Sequence, residues 1–203
     1  MTGNKPIIGL TGGPGAGKTI VARHFGALGC AVIDADQLNH EILTRRDVVR
    51  QIAGWWGPQV LAGDGQVDRE RLGQVVFGDP EALERLTNLV HPLVFERQRQ
   101  LLQAHQGNPE VKAIVLDAPL LCEVGQDEWC DAVVFVEADE AVRRERLRRT
   151  RGWEREKLRK IENLQWPLEH KASRADYIVR NNSDNAAVAD QVADILARVL
   201  PAE

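Results

Sequence analysis

Residues Gly12 to Thr19 read Gly-Gly-Pro-Gly-Ala-Gly-Lys-Thr, directly after the apolar run Ile7-Ile8-Gly9-Leu10. The spacing Gly12-x4-Gly17-Lys18-Thr19 restricts the chain to a strand, a tight loop and a helix. Glycines let backbone N–H groups wrap a phosphate, and the helix N-terminus adds partial positive charge. Lys18 is placed to reach the β and γ phosphates of a nucleotide, and Thr19 to offer a hydroxyl to Mg²⁺. Gly12, Gly13, Pro14, Gly15, Ala16, Gly17, Lys18 and Thr19 are therefore the expected phosphate cradle of a P-loop.

Further apolar runs at Ala31-Val32-Ile33, Ala113-Ile114-Val115-Leu116, Ala132-Val133-Val134-Phe135-Val136 and Tyr177-Ile178-Val179 bring the expected strands to five. Continuous runs of this kind, separated by helical patterns, predict a parallel sheet covered on both faces, an α/β fold. Helices are expected over Lys18 to about Leu28 and Asp184 to about Leu200. The segment from Gln37 to about Gly107 is too long for a simple crossover and is expected to form a helical subdomain. Its turn signals are Gly57-Pro58, Gly63-Asp64-Gly65 and Gly78-Asp79-Pro80.

Cys30, Cys122 and Cys130 are odd in number and lack metal-ligand spacing, so they read as small buried or half-buried hydrophobes in a reducing compartment. No apolar run approaches the roughly 18 residues that span a bilayer, and no signal-peptide pattern precedes the first strand. The expectation is a cytoplasmic protein, a monomer or small homo-oligomer. The net charge of -4 points to neither a nucleic-acid nor a membrane partner.

Charge is unevenly placed. Between Arg143 and Arg174 lie 12 basic and five acidic residues, which suggests an anionic partner or a solvated face tied by pairs such as Glu145/Arg149. Ile33-Asp34-Ala35-Asp36 ends the second strand, the edge where open α/β sheets bind ligands. Strand alternation points Asp34 and Asp36 the same way. One carboxylate can then hold the hydrated Mg²⁺ while the other takes a proton from an attacking hydroxyl, or Asp36 can cap a helix starting at Gln37. In a phosphotransferase the basic block becomes a mobile lid, with Arg144, Arg148 and Arg151 along one side and Arg149 adjacent. The guanine-reading Asn-Lys-x-Asp and the DxxG switch of regulatory GTPases are absent. A small-molecule kinase fits best, and the residues alone leave nucleoside, nucleotide and shikimate-type acceptors open.

At these positions the sequence resembles the dephospho-CoA kinase family. The likeness runs from Ile8 to Asn182 through Gly9 to Lys18, Asp34-Ala35-Asp36, Asp64-Gly65-Gln66-Val67-Asp68-Arg69, Leu72, Val76-Phe77 and His91-Pro92. It continues through Pro119-Leu120-Leu121, Glu123, Gln165, Pro167-Leu168-Glu169, Lys171, Ala175-Asp176-Tyr177, Ile178 and Asn181. The resemblance implies transfer of the ATP γ-phosphoryl group to the ribose 3'-hydroxyl of dephospho-CoA, giving CoA and ADP, the last step of coenzyme A biosynthesis. It implies a nucleotide-binding core (1–36, 108–142 and 172–203), a CoA-binding helical subdomain (37–107) and a lid (143–171). It makes Asp36 the base, with Lys18, Arg144 and Arg149 the other catalytic residues. Thr11 and Ile20 join the nucleotide-binding set, with Thr19 and Asp34 at the metal. The acceptor side comprises Asp36, Asp68, Arg69, His91, Pro119 and Leu120.

Two positions depart from the family pattern. Ile20 stands where a second hydroxyl follows the P-loop Thr, which leaves only backbone contacts there. Ile161 replaces a lid Arg, a role Arg159 or Lys160 would have to take. His91 reads as a structural or substrate-positioning histidine, since Asp36 fills the role of base. Trp55-Trp56 and Val76-Phe77 read as subdomain core, and Asp68-Arg69 as either a surface ion pair or an acceptor-side element.

Overall fold

The computed structural model describes residues 4–182 and 185–201. The chain divides into two compact units, Met1–Asp34 with Leu102–Glu203, and Ala35–Leu101.

The first unit is built on five strands, β1 (Ile7–Thr11), β2 (Ala31–Asp34), β3 (Ile114–Asp117), β4 (Ala132–Glu137) and β5 (Tyr177–Arg180). All pair in parallel in the order β2-β3-β1-β4-β5. β1 lies at the centre, where successive connections leave in opposite directions, which is the switch point at which such sheets open a ligand crevice. Strand alternation sends Ile8, Leu10, Val115, Val134 and Val136 into one core with Val21 and Phe25 of α1 (Lys18–Ala27). Val188, Val192, Ile195 and Leu196 of the C-terminal helix close the same core. The alternate residues Ile33, Ile114, Leu116 and Phe135 are equally buried, so the sheet is covered on both faces.

Each strand runs one residue beyond the end expected from apolarity, because the ladder pairs backbone groups whatever the side chain. The added residues are Thr11, Asp34, Asp117, Glu137 and Arg180. The expected start of the last helix, Asp184, lies outside the described residues, and that helix runs over Asn185–Val199.

The second unit contains α2 (Ala35–Leu43), α3 (Arg46–Trp56), α4 (Arg69–Val76) and most of α5 (Pro80–Gln106). The turn signals act as their chemistry dictates. Pro58 opens a short 3-10 turn, and Ala62 N–H bonds the Gln66 carbonyl at 2.8 Å around Gly63-Asp64-Gly65. The Asp79 carboxylate accepts from the Glu81 and Ala82 N–H groups at 3.0 and 3.2 Å, starting α5 with Pro80 in its first position. Val76 is buried but Phe77 is 57% exposed, so only the first of that pair belongs to the core. Trp55 and Trp56 are half-buried and meet edge to face, with ring centroids 5.3 Å apart.

Cys30 and Cys122 are buried, Cys130 is half-buried, and all three are free thiols. Burial pushes the Cys30 thiol up to about 11 and the Cys130 thiol up to about 12, which keeps both protonated. Among the described residues no helix is long and apolar enough to cross a membrane.

Phe25 joins α1 to the sheet and has no exposed surface. Phe25→Ala is expected to cost about 3–5 kcal/mol in chemical denaturation, from lost burial and a partly filled cavity. A loss under about 1 kcal/mol would show that α1 is not held there.

Candidate active site

The phosphate loop begins where β1 ends. Gly12 has φ of +145°, and an added Cβ would stand 2.6 Å from the Val136 carbonyl oxygen. Gly17 has φ of +92°, and a Cβ there would collide with the Asn181 amide. Both positions need glycine, one for the close approach of β4 and one for the left-handed turn into α1. The first N–H groups of α1 have no acceptor within the helix, so they and the helix dipole provide an anion site.

Carbonyl groups of the loop are gripped from the rest of the unit. Lys18 Nζ donates to the Gly12 carbonyl at 3.0 Å. Asn181, just after β5, donates to Ala16 O at 2.8 Å. Arg146 of α6 (Glu140–Arg151) donates to the same Ala16 carbonyl at 3.2 Å and to Asn181 Oδ1 at 3.2 Å. Arg143 is only 5% exposed; it donates to Pro14 O at 3.4 Å and Ala138 O at 3.2 Å, and pairs with Glu162 of α7 (Arg155–Glu162). Two members of the basic block are thus internal braces of the loop, which charge counting could not distinguish.

The remaining arginines of α6 differ. Arg148 and Arg149 both donate to the Glu145 carboxylate, at 2.9 and 2.6 Å, and hold it down to about 2. The Glu145/Arg149 pair expected for a solvated face is therefore present. Arg151 stands over the Trp153 ring at 5.1 Å. Arg144 is exposed, and neither a hydrogen bond nor an ion pair engages its side chain among the described residues. Of the two residues offered for Ile161, Arg159 is exposed and Lys160 pairs with Glu156 at 3.4 Å.

Thr11 ends β1 fully buried, its hydroxyl without a hydrogen-bond partner among the described residues. An unmet buried hydroxyl costs about 1–3 kcal/mol and suits a group that takes a partner only with nucleotide present. Ile20 packs its side chain on the core and gives its N–H to Gly17 O at 2.9 Å. Thr19 is exposed on the first turn of α1.

Asp34 ends β2, in register with Asp117 at the end of β3, and Asp117 in turn pairs with Leu10 of β1. Two carboxylates therefore lie on adjacent strand ends beside the phosphate loop, Asp117 being 6% exposed. Sequence reading missed Asp117, although its signal was present: the apolar run Ala113 to Leu116 ends in an acid, the pattern of an Mg²⁺-side carboxylate in P-loop enzymes. No group of three His, Cys, Asp or Glu residues suited to a metal occurs among the described residues. One or two carboxylates beside a hydroxyl match Mg²⁺, which keeps waters and phosphate oxygens as its other ligands.

In the helical unit, α2 starts at Ala35, so Asp36 sits exposed in the first helical turn. It neither continues the β2 alternation nor caps a helix beginning at Gln37. An acid there is favoured by the helix dipole. Asp68 caps α4, accepting from Glu70 and Arg71 N–H at 3.0 and 3.1 Å. It pairs with Arg71 at 3.2 Å rather than with Arg69, which is exposed. His91 lies 5.4 Å from the Phe95 ring, and burial pulls its pKa down, keeping it neutral. Pro92 interrupts the hydrogen bonding of α5 and frees the Asn88 carbonyl, beside a groove of about 460 Å³ that includes Trp55, Arg85 and Asn88. Pro119 and Leu120 follow β3 and Asp117 after the single residue Ala118.

The sequence model of the family described as CoaE, dephospho-CoA kinase, matches residues 6–187. A dephospho-CoA kinase of Syntrophotalea carbinolica is 37% identical over 196 residues, covering 96% of this chain and 92% of the relative. The crystal structure of TT1252 from Thermus thermophilus superposes with a TM-score of 0.80 at 30% identity, covering 98% of this chain and all of that one. Dephospho-CoA kinase from Campylobacter jejuni shares the fold, with a TM-score of 0.62 at 21% identity over 97% of this chain and 98% of that one. With a match spanning the phosphate loop, both strand-end carboxylates and the braces that hold the loop, the chain belongs to the dephospho-CoA kinase family.

Proposed function

We propose that this ATP-dependent kinase transfers the γ-phosphoryl group of ATP to the ribose 3'-hydroxyl of dephospho-CoA, giving CoA and ADP, with Asp36 as base. The observation that carries the reaction is the family match over residues 6–187. The division of labour among residues rests on the likeness of their motifs to those of the family.

ATP phosphates are held by the N–H groups of Gly13 and of Gly15 to Thr19, with the Thr11 hydroxyl as a further donor. Lys18, now folded onto the Gly12 carbonyl, turns to the β and γ phosphates. Thr19, Asp34 and Asp117 are the residues that would hold Mg²⁺, directly or through water. The ion, when bound, neutralises charge on the β and γ oxygens. Asp36 takes the proton of the attacking hydroxyl, and a carboxylate in that role contributes about 10²–10⁴-fold. Arg144 has no hydrogen-bond or ion-pair partner to give up among the described residues, and Arg149 must exchange Glu145 for a phosphoryl oxygen. Residues 143–171 act as the lid and 37–107 hold the CoA portion of the acceptor. The family resemblance gives Pro119, Leu120, His91 and Arg69 to the acceptor side, while Asp68 contributes by capping α4.

The reaction is tested by following ADP formation with MgATP and dephospho-CoA, alongside nucleoside monophosphates and shikimate. Turnover is expected with dephospho-CoA, and faster turnover with another acceptor would overturn the assignment. Asp36→Asn is expected to retain ATP binding while kcat falls by about 10² or more; a near-normal kcat reduces Asp36 to a helix-dipole partner. Lys18→Ala is expected to lower kcat as well as ATP affinity, because its charge acts on the transition state. A rise in KM alone would make Lys18 a ground-state anchor.

A further inference from the structure

Lys171 lies in α8 (Leu168–Ser173) and has no exposed side-chain surface. Its ammonium donates to Glu123 Oε1 at 2.7 Å, the Pro119 carbonyl at 2.8 Å and Gln165 Oε1 at 2.9 Å, which occupies all three N–H groups. The same Glu123 oxygen accepts the Trp166 N–H at 2.9 Å. The other oxygen, Oε2, is buried without a hydrogen-bond partner among the described residues. Trp166 is further fixed by a parallel stack on His170, with centroids 4.4 Å apart.

Stability is a poor explanation for this arrangement. Desolvation of a buried pair offsets much of its Coulombic gain, and hydrophobic replacements of both partners are often neutral or stabilising. The unpartnered Oε2 adds a further cost. What the network does achieve is registration of two segments. Pro119 and Glu123 belong to the loop that leaves Asp117, while Gln165, Trp166 and Lys171 belong to the stretch by which the chain returns from α7 to the sheet.

We propose that Glu123 and Lys171 are positioning residues for phosphoryl transfer, setting the return segment of the lid against the loop behind Asp117. The pair touches no reactant; it controls where the lid and the Pro119-Leu120 segment stand when the phosphoryl group moves. The inference rests on residues 143–171 acting as a lid.

The test uses the full chain with E123Q, K171M and the double variant E123Q/K171M, measured by thermal melting and by kinetics with ATP and dephospho-CoA varied separately. Each single variant strands one member of the network and is expected to melt lower. The double variant removes both charges and is expected to recover most of the lost melting temperature, while kcat stays at least tenfold below the parent and KM for ATP changes less than threefold. Recovery of kcat together with stability would overturn the proposal, as would a defect confined to ATP KM or a double variant melting as low as the singles. If the singles do not fold, the double variant alone decides. Arg144→Ala and Arg149→Ala are measured in parallel: normal kcat in both removes the lid reading and the proposal with it. Slow arginine variants beside a normal double variant remove only the positioning role.

Discussion

The carbonyl groups of Gly12, Pro14 and Ala16 are where this fold is held to its task. Between β1 and α1 the chain must turn so that its N–H groups face outward toward a phosphate, and its carbonyls must then be satisfied from within. Lys18 takes Gly12, Arg143 takes Pro14, and Asn181 with Arg146 takes Ala16. Lys18 belongs to the helix that the loop opens, but the other donors come from α6 and from the end of β5, so the loop's shape depends on the sheet order that brings two distant segments to it. The Asn181 amide that grips Ala16 also leaves no room for a side chain at Gly17, while at Gly12 the Val136 carbonyl of β4 does so.

This bracing divides the basic block by function. Arg143 and Arg146 stay inside, spent on loop carbonyls and on Glu162 and Asn181. Arg148 and Arg149 share Glu145 at the surface, pairs worth little in themselves. Arg144 is without an ionic partner among the described residues. A buried anchor stands near each end of the block: Arg143 toward the phosphate loop and Lys171 toward the loop after β3.

The family, the parallel sheet and the phosphate loop were legible because each rests on local pattern: apolar strand runs, a helical period and a glycine spacing that one short segment carries complete. The errors share a different origin. Asp36 was read as a strand residue, although the chain turns helical at Ala35, and no side-chain alternation announces that change. Phe77 was assigned to a core it does not enter. The ion pair offered as one reading of Asp68 and Arg69 forms instead with Arg71, which one helical turn places on the Asp68 carboxylate.

From its sequence alone the protein was determined to be a P-loop kinase with an acidic strand end and a cationic segment, since those features are contiguous in the chain. Only the tertiary structure decided that Asp117 stands beside Asp34, because parallel pairing, not sequence proximity, puts two strand ends together. The same holds for Arg143 against Pro14 and Lys171 against Glu123, pairs separated by 129 and 48 residues. A charge buried at such a distance has no local signature: burial and partner are properties of the packed sheet, and the sequence carries only the side chain that will meet them.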